Sequence, residues 1–231
     1  MSLSVLAAWG VHLYTALGAV LGLLALVAIN RGAYREAFVW MAVATFVDST
    51  DGALARWARV KEVLPYFDGS KLDDIVDYLN YVVVPVVLAY QAGFIALGPA
   101  GLLVAAAPLL ASGYGFCQVE AKTADHFFTG FPSYWNVAVF YFYALASPPT
   151  FNVVMTLLLS LLVFVPIRYV YPSRNPAARW TTHLLGILWA ICVVVLLAQR
   201  TPSRWLALLS LFFPLYYFAL SFHLHFRTAA R

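Results

Sequence analysis

The sequence predicts an all-α, polytopic integral membrane protein, a bundle of about eight transmembrane helices. Three observations carry that expectation. Of 231 residues, 63% are apolar and only 10% are charged, against roughly 25% charged in soluble globular domains. The apolar residues come in long unbroken runs, and a mean hydropathy of +0.82 makes the lipid bilayer the natural solvent. Backbone groups out of reach of water are satisfied only in helices or closed barrels, and runs of this length select helices. At about 20 residues per crossing the chain is filled by its spans, so residues 1–231 are read as a single membrane domain. That composition excludes a disordered region, a disulfide scaffold and a soluble enzyme.

Taken in order, the expected helices cover residues 5–29, 33–58, 70–97, 102–122, 132–146, 151–171, 180–198 and 205–226. The first is apolar throughout, and the first positive charge, Arg31, follows it; without the basic leader of a cleavable signal peptide it is expected to remain as a helix. Asn30-Arg31-Gly32 separates it from the second. Gly98-Pro99 ends the third, Pro148-Pro149 divides the fifth from the sixth, the proline-bearing stretch 172–176 ends the sixth, and 200–203 ends the seventh. Each of these clusters is poorly tolerated inside a continuing helix. Cys117 and Cys192 lie in separate apolar runs with no second thiol or imidazole at ligand spacing, and are read as packing residues. No internal repeat or low-complexity tract is present.

Charge sets the orientation. With both termini in the cytoplasm, ten of the fourteen basic residues fall on that side and only Arg31, Arg35, Arg200 and Arg204 on the other, a clear positive-inside bias. The loops around 57–69, 121–131 and 172–179 then share the cytoplasmic face, where a site built from them meets cytosolic substrates. The net charge of +4 is scattered between apolar segments, not gathered in a stripe, so no nucleic-acid partner is expected.

Seven of the ten carboxylates lie between Asp48 and Asp77. The apolar run from Phe38 to Val47 covers about half a span, so its helix crosses only by carrying Asp48 and Asp51 into the membrane. Acids there need a partner. At about 100° per residue, Asp48, Asp51, Gly52 and Ala55 share one helix face with Arg56 at its margin, and Gly69, Asp73 and Asp77 share a face of the next helix. Four carboxylates brought together in a low dielectric repel one another unless divalent cations neutralise them. Oxygen-only ligands suit magnesium, manganese or calcium. Gly52 and Ala55 read either as close helix packing or as a surface against which a phosphorylated ligand lies, with Arg56 offering a guanidinium fork. Metal, arginine and close-approach residues together are the equipment of phosphoryl transfer.

Asp48-x2-Asp51-Gly52-x2-Ala55-Arg56, followed by Gly69-x3-Asp73-x3-Asp77, resembles the signature of the CDP-alcohol phosphotransferases, membrane enzymes that join a CDP-activated group to an alcohol and release CMP. The spacer Trp57 to Asp68 is longer than in most of that family and is similar to that of the bacterial phosphatidylcholine synthase subfamily. The same likeness extends through Val60-Lys61-Glu62-Val63-Leu64-Pro65, Tyr81-Val82, Tyr114-Gly115-Phe116-Cys117-Gln118 and Gly130-Phe131-Pro132-Ser133-Tyr134-Trp135-Asn136. It implies transfer of the phosphatidyl group from CDP-diacylglycerol to choline, with a divalent metal, manganese or magnesium, in a bacterial inner membrane and in a homodimer. By the family pattern Asp48, Asp51, Asp73 and Asp77 hold the metal and Asp77 is also the general base. Asp51, Gly52, Ala55, Arg56 and Gly69 are implied to bind CDP-diacylglycerol.

Choline has no N–H to donate, so its site must use aromatic faces and acidic charge. Tyr81, one turn beyond Asp77, Glu120 and Trp135 are expected to contribute, although Tyr and Trp also populate interfacial belts and Glu120 has Lys122 nearby. His12, His183, His223 and His225 are assigned no chemistry. Two alternatives stay open: the same core with serine, inositol or glycerol phosphate as acceptor, and a transporter whose intramembrane acids mark an ion path.

Overall fold

A computed structural model describes residues 2–119, 121, 123, 125, 127–171 and 179–229. Helix α1 (Leu3–Asn30) starts at Ser2, whose hydroxyl accepts the Val5 amide. It stops at Gly32, where a φ of 71° turns the chain and the amides of Gly32 and Ala33 close onto the carbonyls of Ile29 and Ala28. α2 (Tyr34–Trp57) runs back along α1. The spacer after it holds a short helix, α3 (Val60–Val63), and Asp68 then caps α4 (Gly69–Asp77) by accepting the Lys71 amide. α4 continues through a π-helical stretch, Tyr78–Val83, into α5 (Val84–Gln91). Pro85 accounts for that widening: it has no N–H for the Tyr81 carbonyl, and the Val84 amide reaches back to Leu79 instead.

α6 (Gly98–Cys117) packs on α8 (Pro149–Phe164), with α7 (Trp135–Ala144) between them in the chain. β1 (Phe127–Thr129) pairs antiparallel with β2 (Arg168–Val170), Phe128 opposite Tyr169. α9 (Arg179–Ala198), α10 (Arg204–Ser210) and α11 (Phe212–Ala229) complete the described bundle.

All eight expected segments are found as helix, with five corrections to their limits. The third ends at Gln91 and not at 97, and Gly98-Pro99 opens the fourth helix instead of closing the third. The fourth ends at Cys117 and not near 122. The fifth is the ten residues of α7 and begins at Trp135. The sixth ends at Phe164, because Pro166 lacks an amide and holds Val165 out of the helical region; the chain extends and becomes β2. The eighth is interrupted at Leu211, where Pro214 leaves the Ser210 carbonyl without its helical donor. Cys117 is exposed rather than packed, and Cys192 is half-buried.

Four helical stretches, Leu3–Asn30, Gly98–Cys117, Arg179–Ala198 and Arg204–Arg227, are each long and apolar enough to cross a bilayer. Their outer faces confirm the solvent: on α9, Ile187, Ile191 and Val194 are 60%, 54% and 62% exposed. A ridge of that kind is stable against acyl chains and costly against water. The protein is a multi-pass helical membrane protein.

Candidate active site

The acids meet where α2 and α4 face each other against α1. Asp48 comes from α2, Asp73 and Asp77 from α4, and one carboxylate oxygen of each can be chosen so that all lie within 4.8 Å of one another. The helical phase inferred from the spacing is therefore realised in space. All three are partly buried and line one small cavity together with Asp51, Thr15 and Tyr81. Asp51 sits deeper, 6% exposed, and accepts a hydrogen bond from Thr15 Oγ1 at 2.8 Å. Three carboxylates at this separation form an oxygen-only donor set of the kind hard divalent cations take.

The close-approach residues divide into two kinds. A methyl at Gly52 would touch only the exposed Arg56 guanidinium, at 3.4 Å, so that stretch of α2 backbone is open beside a cation. A methyl at Gly69 would lie 2.5 Å from Cε1 of His12, so here the missing side chain makes room for α1. His12 is buried against Phe67, with ring centroids 4.4 Å apart. Ala55 packs on the small apolar cluster formed by Ala8, Val11, Val60 and Leu64.

The chain is similar to the phosphatidylcholine synthase of Legionella pneumophila, 42% identical over 228 residues that cover 94% of this chain and 88% of that protein. It belongs to the phosphatidylcholine synthase family. Similar figures hold for the phosphatidylcholine synthases of Pseudomonas aeruginosa, 38% identical over 89% of this chain and 86% of that one, and of Borreliella burgdorferi, 33% over 84% and 82%. No family model matches the sequence. A phosphatidylcholine synthase homologue is an enzyme, and the three clustered acids are a group that could hold a metal ion.

Of the residues expected around choline, one lies at the acids. Tyr81 donates its hydroxyl to Asp48 Oδ2 at 2.6 Å. Trp135 is wholly buried in the core between α7 and α6, its indole N–H donated to Ser112 Oγ at 2.8 Å. Glu120 and Lys122 lie outside the described residues. The neighbour of Trp135 lies nearer the acids: the Tyr134 ring is 6.2 Å from Tyr81 and 6.0 Å from Tyr217 of α11, within reach of the charges of Asp48 and Asp77. The expectation fell on Trp135, which the structure places in the core, one residue away from the ring that lies beside Tyr81.

Two contacts beside the acids go beyond the sequence expectations. Thr15 reaches Asp51, and Asn80 donates to the Gly18 carbonyl at 2.9 Å. His12, assigned no chemistry, packs: it is buried against Phe67 and is the ring that α4 approaches at Gly69. The available signal was the Gly18-x3-Gly22 spacing in the first segment, a small-residue stripe that marks close helix approach.

Arg168 joins β2 to the loop after α6. It pairs with Asp125 and lies over the Phe127 ring at 4.3 Å, and its guanidinium holds the Asp125 carboxyl below the usual carboxylate range. It braces the loop that leads into Tyr134.

Proposed function

We propose that the protein transfers the phosphatidyl group of CDP-diacylglycerol to choline, giving phosphatidylcholine and CMP, at the cytoplasmic face of a bacterial inner membrane with both termini in the cytoplasm. The observation that carries the reading is the Asp48, Asp73 and Asp77 cluster, within 4.8 Å, in a chain belonging to the phosphatidylcholine synthase family. The positive-inside bias supports the orientation.

Asp77 accepts the proton of the choline hydroxyl, and that oxygen forms a bond to the phosphorus bearing the diacylglycerol ester as the bond to the CMP oxygen breaks. CMP leaves with the electron pair of the broken bond. Asp48, Asp73 and Asp77 fit a divalent cation, magnesium or manganese, which when bound neutralises charge on the diphosphate, and Asp51, the fourth acid of the signature, lines the same cavity outside that group. Arg56 holds a phosphate oxygen, and Gly52 leaves the α2 backbone bare for the nucleotide diphosphate. The faces of Tyr81 and Tyr134, beside the acids, receive the trimethylammonium group.

The test is incorporation of radiolabelled choline by the purified protein given CDP-diacylglycerol, with manganese or with chelator. Metal-dependent phosphatidylcholine and CMP in equal amounts is the expected result. CMP release with serine, inositol or glycerol phosphate but not with choline overturns the acceptor. No release with any alcohol overturns the transfer and favours an ion path.

A further inference from the structure

We propose that Thr15, on the first helix and outside the aspartate signature, is a positioning residue that holds Asp51 in place to bind a divalent cation. The inference rests on the metal site proposed above and deepens it. Thr15 and Asp51 are 7% and 6% exposed, and the 2.8 Å bond between them joins α1 to α2 at the level of the acids. A carboxylate with one oxygen held by a buried hydroxyl loses rotation about its last bond, so the direction of its second oxygen is set before any ligand arrives. Both residues line the cavity shared with Asp48, Asp73 and Asp77.

A hydroxyl positions a partner only when its own helix is fixed, and α1 is. One turn along from Thr15, the Gly18 carbonyl accepts the buried Asn80 amide at 2.9 Å. A methyl at Gly18 would lie 2.5 Å from Val76 Cγ1, and one at Gly22 2.8 Å from Asn80 Oδ1, so α1 sits as close to α4 and the π-helical stretch as backbones allow. On the other side, Tyr14 and Thr50 share a hydrogen bond of 2.9 Å between their hydroxyls. Thr15 therefore stands on a strut tied to both acid-bearing helices. Hydrogen bonds of this outer kind orient metal-ligating carboxylates, and losing one costs about 10- to 100-fold in metal affinity.

The experiment is a titration of the full chain in lipid nanodiscs with Mn2+, free ion being read by electron paramagnetic resonance. Thr15→Val keeps the shape and removes the hydroxyl; Thr15→Ser keeps the hydroxyl. Thr15→Val is expected to weaken Mn2+ binding about tenfold while Thr15→Ser stays within about twofold of wild type. A purely structural role would instead lower the metal-free unfolding temperature and leave affinity unchanged in the folded fraction. Equal affinity in wild type and Thr15→Val overturns the inference, as does equal weakening by Val and Ser. Where Thr15→Val does not fold, Thr15→Ala carries the same expectation and decides it. Absence of saturable Mn2+ binding in wild type overturns the metal site itself, a result distinct from the other two.

Discussion

α1 and α9 are both long apolar helices, and they are used in opposite ways. α1 buries a stripe of small and polar residues, Ala8, His12, Thr15, Gly18, Gly22 and Ala25, against the acid-bearing helices. α9 buries only Thr182 near its start and Leu196 and Leu197 at its end, and turns branched aliphatic side chains to the lipid. Because acyl chains are as apolar as leucine, nothing hydrophobic drives two helices together in a bilayer; close contact comes from small residues and from hydrogen bonds across the seam. The helix that packs on the acid-bearing helices therefore looks less hydrophobic along one face than the helix that faces the lipid. A catalytic scaffold in this fold is recognised by what its helices lack.

The sharpest way to break that comparison is to remove an acid from the first region and an aliphatic from the second. Asp73→Asn is expected to lower choline incorporation at least about a hundredfold, since it removes one of the three clustered carboxylates on which the proposed transfer depends. Ile191→Ala on the outer face of α9 is expected to leave turnover unchanged and stability within about 0.5 kcal/mol. Steady-state rates and thermal unfolding in nanodiscs check both.

Next come the two glycine seams. Gly18→Val is expected to destabilise by about 1–3 kcal/mol, because its side chain has to displace Val76. At Gly186 a methyl would meet the Phe213 ring at 3.5 Å, an ordinary contact, so Gly186→Ala is expected to be neutral or to stabilise α9 by up to about 1 kcal/mol. A shift in unfolding temperature for the first and none or an increase for the second confirms that close packing belongs to α1.

The smallest effect is at the loop brace. The Asp125 carboxyl titrates below its unfolded value because Arg168, and then Thr123, bond to its charged form. Its contribution is therefore full above the ordinary carboxylate range and fades as pH falls through the depressed value. For a pair this exposed it is below about 1 kcal/mol. Asp125→Asn should lose that small increment at neutral pH and match wild type in strong acid, as followed by unfolding temperature against pH.

Much of this architecture was legible in the residues. The offsets between Asp48 and Asp51 and between Gly69, Asp73 and Asp77 placed the acids on facing stripes, and prolines and glycines marked most helix limits. What escaped was set by contacts between distant segments. Pro166 gave a stop signal inside the sixth segment, but β2 forms only because β1 lies beside it. The π-helical stretch follows from Pro85, but the bond from Tyr81, within that stretch, to Asp48 depends on how this segment meets α2. Trp135 and Tyr134 differ by one residue of helical phase, which hydropathy does not resolve when both rings are apolar.

The central claim is that one acid cluster assembled by α2 and α4 carries phosphatidyl transfer, with Asp77 as its base. The most direct measurement is the rate of choline incorporation by Asp77→Asn under saturating CDP-diacylglycerol and manganese, beside its thermal unfolding. A loss of about a hundred- to ten-thousandfold in turnover, with the unfolding temperature preserved, is the predicted result. Turnover near the wild-type rate in the folded variant would contradict it.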